Sequence, residues 1–431
     1  MADHTDTKAS DLRWRVLQYG AREHYAIPRA LQAAGRLERM YTEAWLGGGP
    51  GFRSLVKKLG PLGRAYGGRT HPDVPSGLVT TRPAWHGLAD AWLSRNRGKE
   101  SVSERYARYL ELGRRFGGWA AGELAKDPGF GRGSAVFSFN TTALESAELA
   151  RERGAISVVD QIAPARTEDR WVREETELWP GWQMGIEPVP EEGFARFDQE
   201  WAACDAVLVN SPWSAEALVE QGVPRRKLMV VPLAFEPGPR PEPPSRPRKP
   251  GELHVLWVGQ VGLRKGIQYL IEAARLLEGK PITFTVVGPV LIAPDKVEAA
   301  PKNVRFIGRV SREQAEAWYD QADVYLLPTV SDGFALTQLE AMSRGVPVVA
   351  TPHCGRVVTE GVDGRIVPAR DPGAIARVLE EALGDPDMLA RWSVAARATS
   401  RNYGVDAYAR TLVSELGRVM SGSGDAGVAR E

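Results

Sequence analysis

Two carboxylates, Asp332 and Glu340, stand with seven residues between them in the segment SDGFALTQLEAM, which runs from Ser331 to Met342. The segment lies between two apolar runs, 324–327 and 346–350. A carboxylate on each side of a strand-to-helix turn can hold hydroxyl groups, while backbone N–H groups of the turn hold negative charge. A nucleotide sugar presents both needs, because its ribose and hexose hydroxyls surround a diphosphate. A plainer reading stands beside this one. Thr337-Gln338-Leu339-Glu340 fits a capping box, and Asp332-Gly333 is ordinary turn chemistry.

Two further loops carry candidate groups. Gln260, Arg264 and Lys265 lie in GQVGLRKG (259–266), between an apolar run and a helical pattern. Cations at a helix start are unfavourable unless an anion joins them, and a diphosphate would supply it; both side chains reaching into solvent is the alternative. Gly288 follows the next apolar run, and Arg309-Val310 follows the one after. Glycine at a strand end lets a ligand approach the backbone, and it also simply makes turns. The spacing matches neither G-x-G-x-x-G nor a P-loop, so a dinucleotide or P-loop fold is not expected.

The elements that must position these loops follow from periodicity. Short β-branched runs at 253–258, 282–287, 304–307, 324–327 and 346–350 alternate with helical patterns at 266–277, 311–321, 337–344 and 371–383. That alternation predicts a parallel sheet covered on both faces, an α/β fold. Upstream, runs at 14–18, 135–139, 156–159, 206–209 and 229–231 read as strands, while 47–131 has no clean period. Between them, EPGPRPEPPSRPRKPG (236–251) is too rich in proline for a helix or central strand. The expected organisation is an N-terminal Rossmann-like domain at 1–236, a linker at 237–251, a second Rossmann-like domain at 252–400, a closing helix at 401–420 and a disordered tail at 421–431.

Size and composition agree with two domains. The chain has 431 residues, 43% apolar and 25% charged, with a net charge of +1. No global field would recruit nucleic acid. Two cysteines are too few for a disulfide framework or a Cys-based zinc site. A polar N-terminus and the lack of a long apolar run lead to the expectation of a cytoplasmic protein.

Taken together, VGQVGLRKGIQYLIEAARLL, TVVGPV, NVRFIGRVSREQAEAWYDQADVYLLPTVSDGFALTQLEAMSRGVPVVAT and GVDGRIVPARD resemble the C-terminal domain of the family 4 glycosyltransferases, which have the GT-B architecture. The resemblance covers most of 253–385, and CDAVLVNSPWSAEALVEQGVPRRKLMVVPLAFE looks like the end of that family's N-terminal domain. It implies a retaining hexosyl transfer from a nucleotide-diphosphate sugar, UDP- or GDP-linked, with no essential metal or other cofactor. The family's paired acidic residues fall on Asp332, facing the transferred sugar, and Glu340, facing the ribose. Lys265 falls on the lysine that binds the diphosphate. Arg309-Val310 falls where the base is held, and Gly333, Phe334, Ala335, Leu336 and Thr337 where amides meet phosphate and sugar. Asp332 replaces the usual Glu, and Gln260 replaces an Arg for which Arg264 can compensate.

On the acceptor side, Gly20 falls near the family's glycine-rich loop, with His24 close by. Asp160 and Gln161 stand where the family often has a His. A lone His is more often structural than catalytic. The stretch from Arg53 to Arg69 has five basic residues and no acidic one. It is a candidate for peripheral contact with the inner face of a membrane, against the plainer reading of a solvated face. The acceptor itself (small molecule, glycan or lipid-linked sugar) is not readable. The rival to an active transferase is a degenerate GT-B protein that binds a nucleotide sugar without turnover.

Overall fold

The computed structural model of the chain describes residues 9–47, 69–82, 101–183, 189–238 and 251–421. The first half runs β1 (Arg13–Gln18), α1 (Ala26–Ala33), β2 (Leu37–Thr42), β3 (Val79–Thr81), α2 (Val102–Ala125), β4 (Ser134–Phe139), α3 (Leu144–Arg153), β5 (Ile156–Asp160), α4 (Arg166–Leu178), α5 (Glu191–Ala203), β6 (Ala206–Val209), α6 (Pro212–Glu220) and β7 (Leu228–Val230). The second half runs β8 (Leu253–Val258), α7 (Ile267–Leu276), β9 (Ile282–Val287), α8 (Pro294–Glu298), β10 (Val304–Gly308), α9 (Arg312–Tyr319), β11 (Val324–Leu327), α10 (Thr337–Ser343), β12 (Val348–Ala350), β13 (Gly364–Ile366), α11 (Pro372–Gly384), α12 (Pro386–Ser400) and α13 (Val405–Met420).

The strands form two sheets, β3-β2-β1-β4-β5-β6-β7 and β10-β9-β8-β11-β12-β13. Every pairing between them is parallel. The expected α/β fold of two Rossmann-like sheets is what the chain adopts. β4 and β11 are buried along their whole length, which explains why they read as unbroken apolar runs rather than alternating ones.

Helix α13 packs back onto the first domain. Tyr408, Leu412 and Leu416, one helical turn apart, join the core that holds Trp14, Ile27 and Met40. Helix α9 opens on a capping box, in which the Ser311 side chain accepts from Gln314 N–H and the Gln314 side chain accepts from the Ser311 N–H.

Several elements were not anticipated, among them α8, α12, β2, β3, β13 and α2. β2 reads LERMYT, with two charged residues on a short strand, and β3 and β13 have three residues each. Helix α2 lies in the unreadable stretch, yet its Ser101-x-x-Glu104 capping box was a usable signal.

The chain joins the two domains well before the linker. Helix α4 starts on the first domain, where Arg166 pairs with Asp198 at 2.8 Å. Beyond its end, Trp182 is buried in the second domain's core. There Ala293 N–H donates to the Trp182 carbonyl at 2.7 Å, and Leu263 N–H donates to Gln183 Oε1 at 2.9 Å. Most of the proline-rich linker (239–250) and the tail beyond 421 lie outside the described residues, as do residues 53–68 of the basic stretch.

Candidate functional site

Strand order reverses between β8 and β11 in the second sheet. Ligands of open α/β sheets bind in the crevice beyond the carboxyl ends of strands at such a reversal. The loops that leave β8 and β11 carry Arg264, Lys265 and Asp332, and they are stitched to each other. Val330 N–H and Thr329 Oγ1 both donate to the Arg264 carbonyl at 3.0 Å. Gly266 (φ +74°) lies so close that a Cβ would sit 1.8 Å from the Pro328 carbonyl oxygen.

Lys265 makes an ion pair with Asp332. Burial, and then the neighbouring Arg264, push the Lys265 ammonium down from its usual range, while Glu168 opposes them. The Asp332 carboxylate it touches also favours the charged form. The Arg264 guanidinium reaches Glu168 at 3.4 Å and the Ser331 carbonyl at 3.3 Å. A cation held in a half-buried place by a carboxylate is a site prepared for an anion that can outbid that carboxylate.

Glu340 is placed differently. The capping-box reading of Thr337-x-x-Glu340 is corrected by the structure. Helical hydrogen bonds begin earlier, with Gln338 N–H donating to Ala335 and Glu340 N–H to Leu336. Thr337 is therefore already helical, Leu336 is the N-cap, and no side chain caps the helix. Its carboxylate instead accepts from Tyr319 Oη at 2.9 Å. It lines a cavity of about 80 Å³ with Phe235, Tyr319, Arg344 and Arg401.

The remaining positions divide by role. Gln260 and Arg309 are exposed, and Val310 is half-buried. A Cβ on Gly288 would sit 1.7 Å from the Gly259 carbonyl oxygen, so this glycine lets two strand-end turns nest. A Cβ on Gly333 would sit 2.2 Å from the Ile162 carbonyl of the first domain, so this glycine permits the domains to meet. Phe334 is buried, Leu336 half-buried, and Ala335 takes a left-handed φ of +63°.

The first sheet reverses order between β1 and β4. Gly20 (φ +87°) follows β1 and donates its N–H to Glu43 at 2.9 Å. Glu23, His24 and Tyr25 then take successive left-handed φ values of +51°, +50° and +60°, a strained run that persists only when its surroundings dictate it. His24 is exposed on this turn. The Glu23 carboxyl faces Asp160 at the end of β5. Burial pushes Glu23 up to about 7 and Asp160 well above the carboxylate range, with Arg22 opposing both. Asp160 is thus buried against Glu23. Gln161 is held by Trp201, whose Nε1 donates to it at 3.3 Å, and donates in turn to the Ala163 carbonyl.

Sequence reading missed the contact between the domains. His353 stacks on Trp213 with centroids 4.0 Å apart and an interplanar angle of 16°. Trp171 of α4 meets the same His353, and Arg370 lies 4.0 Å over the Trp171 ring. Asp332 N–H donates to the His353 carbonyl at 2.9 Å, so this aromatic cluster adjoins the candidate site. Beside it Glu175 of α4 is fully buried and accepts from Gln268 (2.7 Å), Tyr269 (2.7 Å) and Arg370 (2.6 Å) of the second domain. No local pattern marks these residues, because their partners across the domain contact are roughly 90 to 200 positions away in sequence.

Among the described residues no group of three or more His, Cys, Asp or Glu side chains could hold a metal ion. No described helix is long and apolar enough to cross a membrane.

Residues 252–385 match the family model described as glycosyl transferases group 1. The chain is 29% identical over 265 residues to D-inositol 3-phosphate glycosyltransferase of Streptomyces coelicolor, a match covering 53% of this chain and 58% of that protein. It therefore spans less than two thirds of that relative's length. Over 94% of the chain the fold is similar to HepE of Anabaena, solved in complex with UDP, with a TM-score of 0.55, 14% identity and 99% of that chain covered. Sucrose-phosphate synthase of Thermosynechococcus elongatus gives a TM-score of 0.56 at 17% identity, over 93% of this chain and 97% of that one. The chain thus has the GT-B fold, and its residues 252–385 are similar to the group 1 glycosyl transferases.

Proposed function

We propose that the chain is a retaining glycosyltransferase, moving a hexosyl group from a UDP- or GDP-linked sugar on the second domain to an acceptor hydroxyl in the interdomain cleft. The observation that carries this reading is the convergence of Arg264, Lys265 and Asp332 at the strand-order reversal of the second sheet. The group 1 match over the same residues supports it, as does the UDP held by HepE.

On this reading the donor diphosphate displaces Asp332 from Lys265. That frees the Asp332 carboxylate for hydroxyls of the transferred sugar, while Glu340 serves the ribose and Arg309-Val310 the base. As the anomeric C–O bond breaks, its electron pair passes to the diphosphate, whose charge Lys265 and Arg264 stabilise, while the acceptor oxygen bonds to the anomeric carbon on the same face and its proton passes to the departing diphosphate oxygen. Because these cations carry that load, the reading requires no metal or other cofactor.

Lys265→Ala and Glu340→Gln are each expected to lower transfer at least tenfold, about 1.4 kcal/mol in barrier, with the circular dichroism of the fold unchanged. Undiminished rates in both variants would overturn the assignment. Gln260, exposed and uncharged, favours the rival reading of a binder without turnover. Release of free nucleotide in the presence of acceptors separates the two.

A further inference from the structure

A cavity of about 970 Å³ opens beside the first sheet's strand-order reversal, far larger than the pocket at Glu340. That volume is at the upper end of small-molecule sites and exceeds the needs of one sugar ring. Its walls have two characters. Ile162, Val172, Val189, Phe194 and Phe197 supply an apolar side. Arg22, Arg105, Arg108, Arg173 and Arg264 face the same space, against three carboxylates, Glu168, Asp169 and Glu177. Two of those carboxylates are engaged, Asp169 by Arg173 at 2.6 Å and Glu168 by Arg264 at 3.4 Å. The walls therefore carry an excess of two positive charges in a partly apolar surrounding, where charge is felt more strongly than in water.

Arg22 is fixed at the inner end. It donates to Asn140 Oδ1 at 3.2 Å and to Tyr109 Oη at 2.9 Å, and it lies 5.1 Å over the Phe139 ring. The carboxyls of Glu23 and Asp160 behind it are pushed toward their neutral forms by burial, so they do not cancel its charge in full. Arg105 and Arg108 stand three residues apart on α2, on one helix face. A guanidinium presents a planar fork that matches phosphate or carboxylate, and pre-setting it limits the entropy lost on binding.

We infer that this cavity selects an amphipathic anion as the acceptor, a molecule joining a phosphate or carboxylate to an apolar or aromatic body. The inference rests on the transferase reading above and names the acceptor class it would use. An all-polar acceptor would leave the apolar wall unmatched, and a neutral glycan would leave the excess positive charge unanswered.

Calorimetry on the full chain tests it with four probes: 1-naphthyl phosphate, decyl phosphate, inorganic phosphate and 1-naphthol. At least one organic phosphate is expected to bind tenfold or more tightly than both inorganic phosphate and 1-naphthol. The naphthyl and decyl arms then separate an aryl body from a lipid-like one. R105Q/R108Q is expected to weaken that binding at least fivefold, with K265A within twofold of the natural chain. Organic phosphates that bind no better than the two controls would overturn the inference. So would loss in K265A, which would move the anion to the donor loops. Titrations with UDP-glucose and GDP-mannose separate the failures: donor binding without organic-phosphate binding sinks this inference alone, and binding of neither sinks the transferase reading too.

Discussion

The two faces of the cleft are built on the same plan and differ in how local their parts are. On the second domain, Arg264, Lys265 and Asp332 sit on loops that leave adjacent strands, and those loops bond to each other. On the first domain, the cavity wall is assembled from Arg22 after β1, Tyr109 on α2, Asn140 after β4 and residues of α4 and α5. The lesson is one of construction. On the transferase reading proposed above, the donor face is made from loops of adjacent strands, whereas the acceptor face is made from helices inserted between distant strands. Helix α4 joins both, because its Arg166 end belongs to one domain and Glu175 is buried in the other.

The largest effect that would sharpen this comparison is at Glu175. Removing its carboxylate takes an acceptor from the buried Gln268 and Tyr269 and from the half-buried Arg370, which keeps only Glu174 at 2.8 Å. E175A is expected to lose about 3 kcal/mol of stability in urea titration, in the range for breaking a buried charged network. A loss below 0.5 kcal/mol, on the order of an ordinary surface substitution, would mean that α4 does not tie the domains.

Next comes Gly333. A Cβ there would meet the Ile162 carbonyl at 2.2 Å, so G333A must push the domains apart. It is expected to lose about 2 kcal/mol and to raise the radius of gyration in solution scattering. G308A is the contrast, since its Cβ would enter open space at φ +81°. It should lose only about 1 kcal/mol and leave the scattering unchanged.

A smaller effect concerns pH. The Glu23 carboxyl has its folded pKa raised from the usual 4.5 to about 7 by burial, Asp160 being its coupled neighbour. Its favourable contribution is present in full below pH 4.5 and is lost as pH rises through 7, by at most about 1.4 kcal/mol per pH unit. E23Q is therefore expected to fall less steeply in stability than the natural chain between pH 5 and 7.5. Parallel profiles would show that the first face holds Glu23 ionised.

The smallest effect is at Gln260. Q260R adds a cation to an exposed position in the loop that carries Lys265 and is expected to tighten donor binding about threefold, on the order of 0.7 kcal/mol. Looser binding would argue that the donor face does not extend to this turn.

Much of the second domain was legible in the sequence. Strand β11 is buried along its whole length, so the apolar run VYLL marked it directly, and Asp332 and the Arg264-Lys265 doublet lay in the intervening loops, with Glu340 on the helix that follows. Less could be read upstream. β2 carries charges, β3 is three residues long, and α2 lies within a stretch without a clean period, so hydrophobic pattern had little to act on.

By itself the sequence determined the alternation of strand and helix, the proline-rich break and the residue types in the donor loops, because each is set by near neighbours. Only tertiary structure decided that Lys265 meets Asp332, that Glu340 turns to Tyr319 instead of capping a helix, and that Glu23 is buried against Asp160. Those outcomes depend on which strand ends are brought side by side, a relation between distant segments that no local pattern encodes.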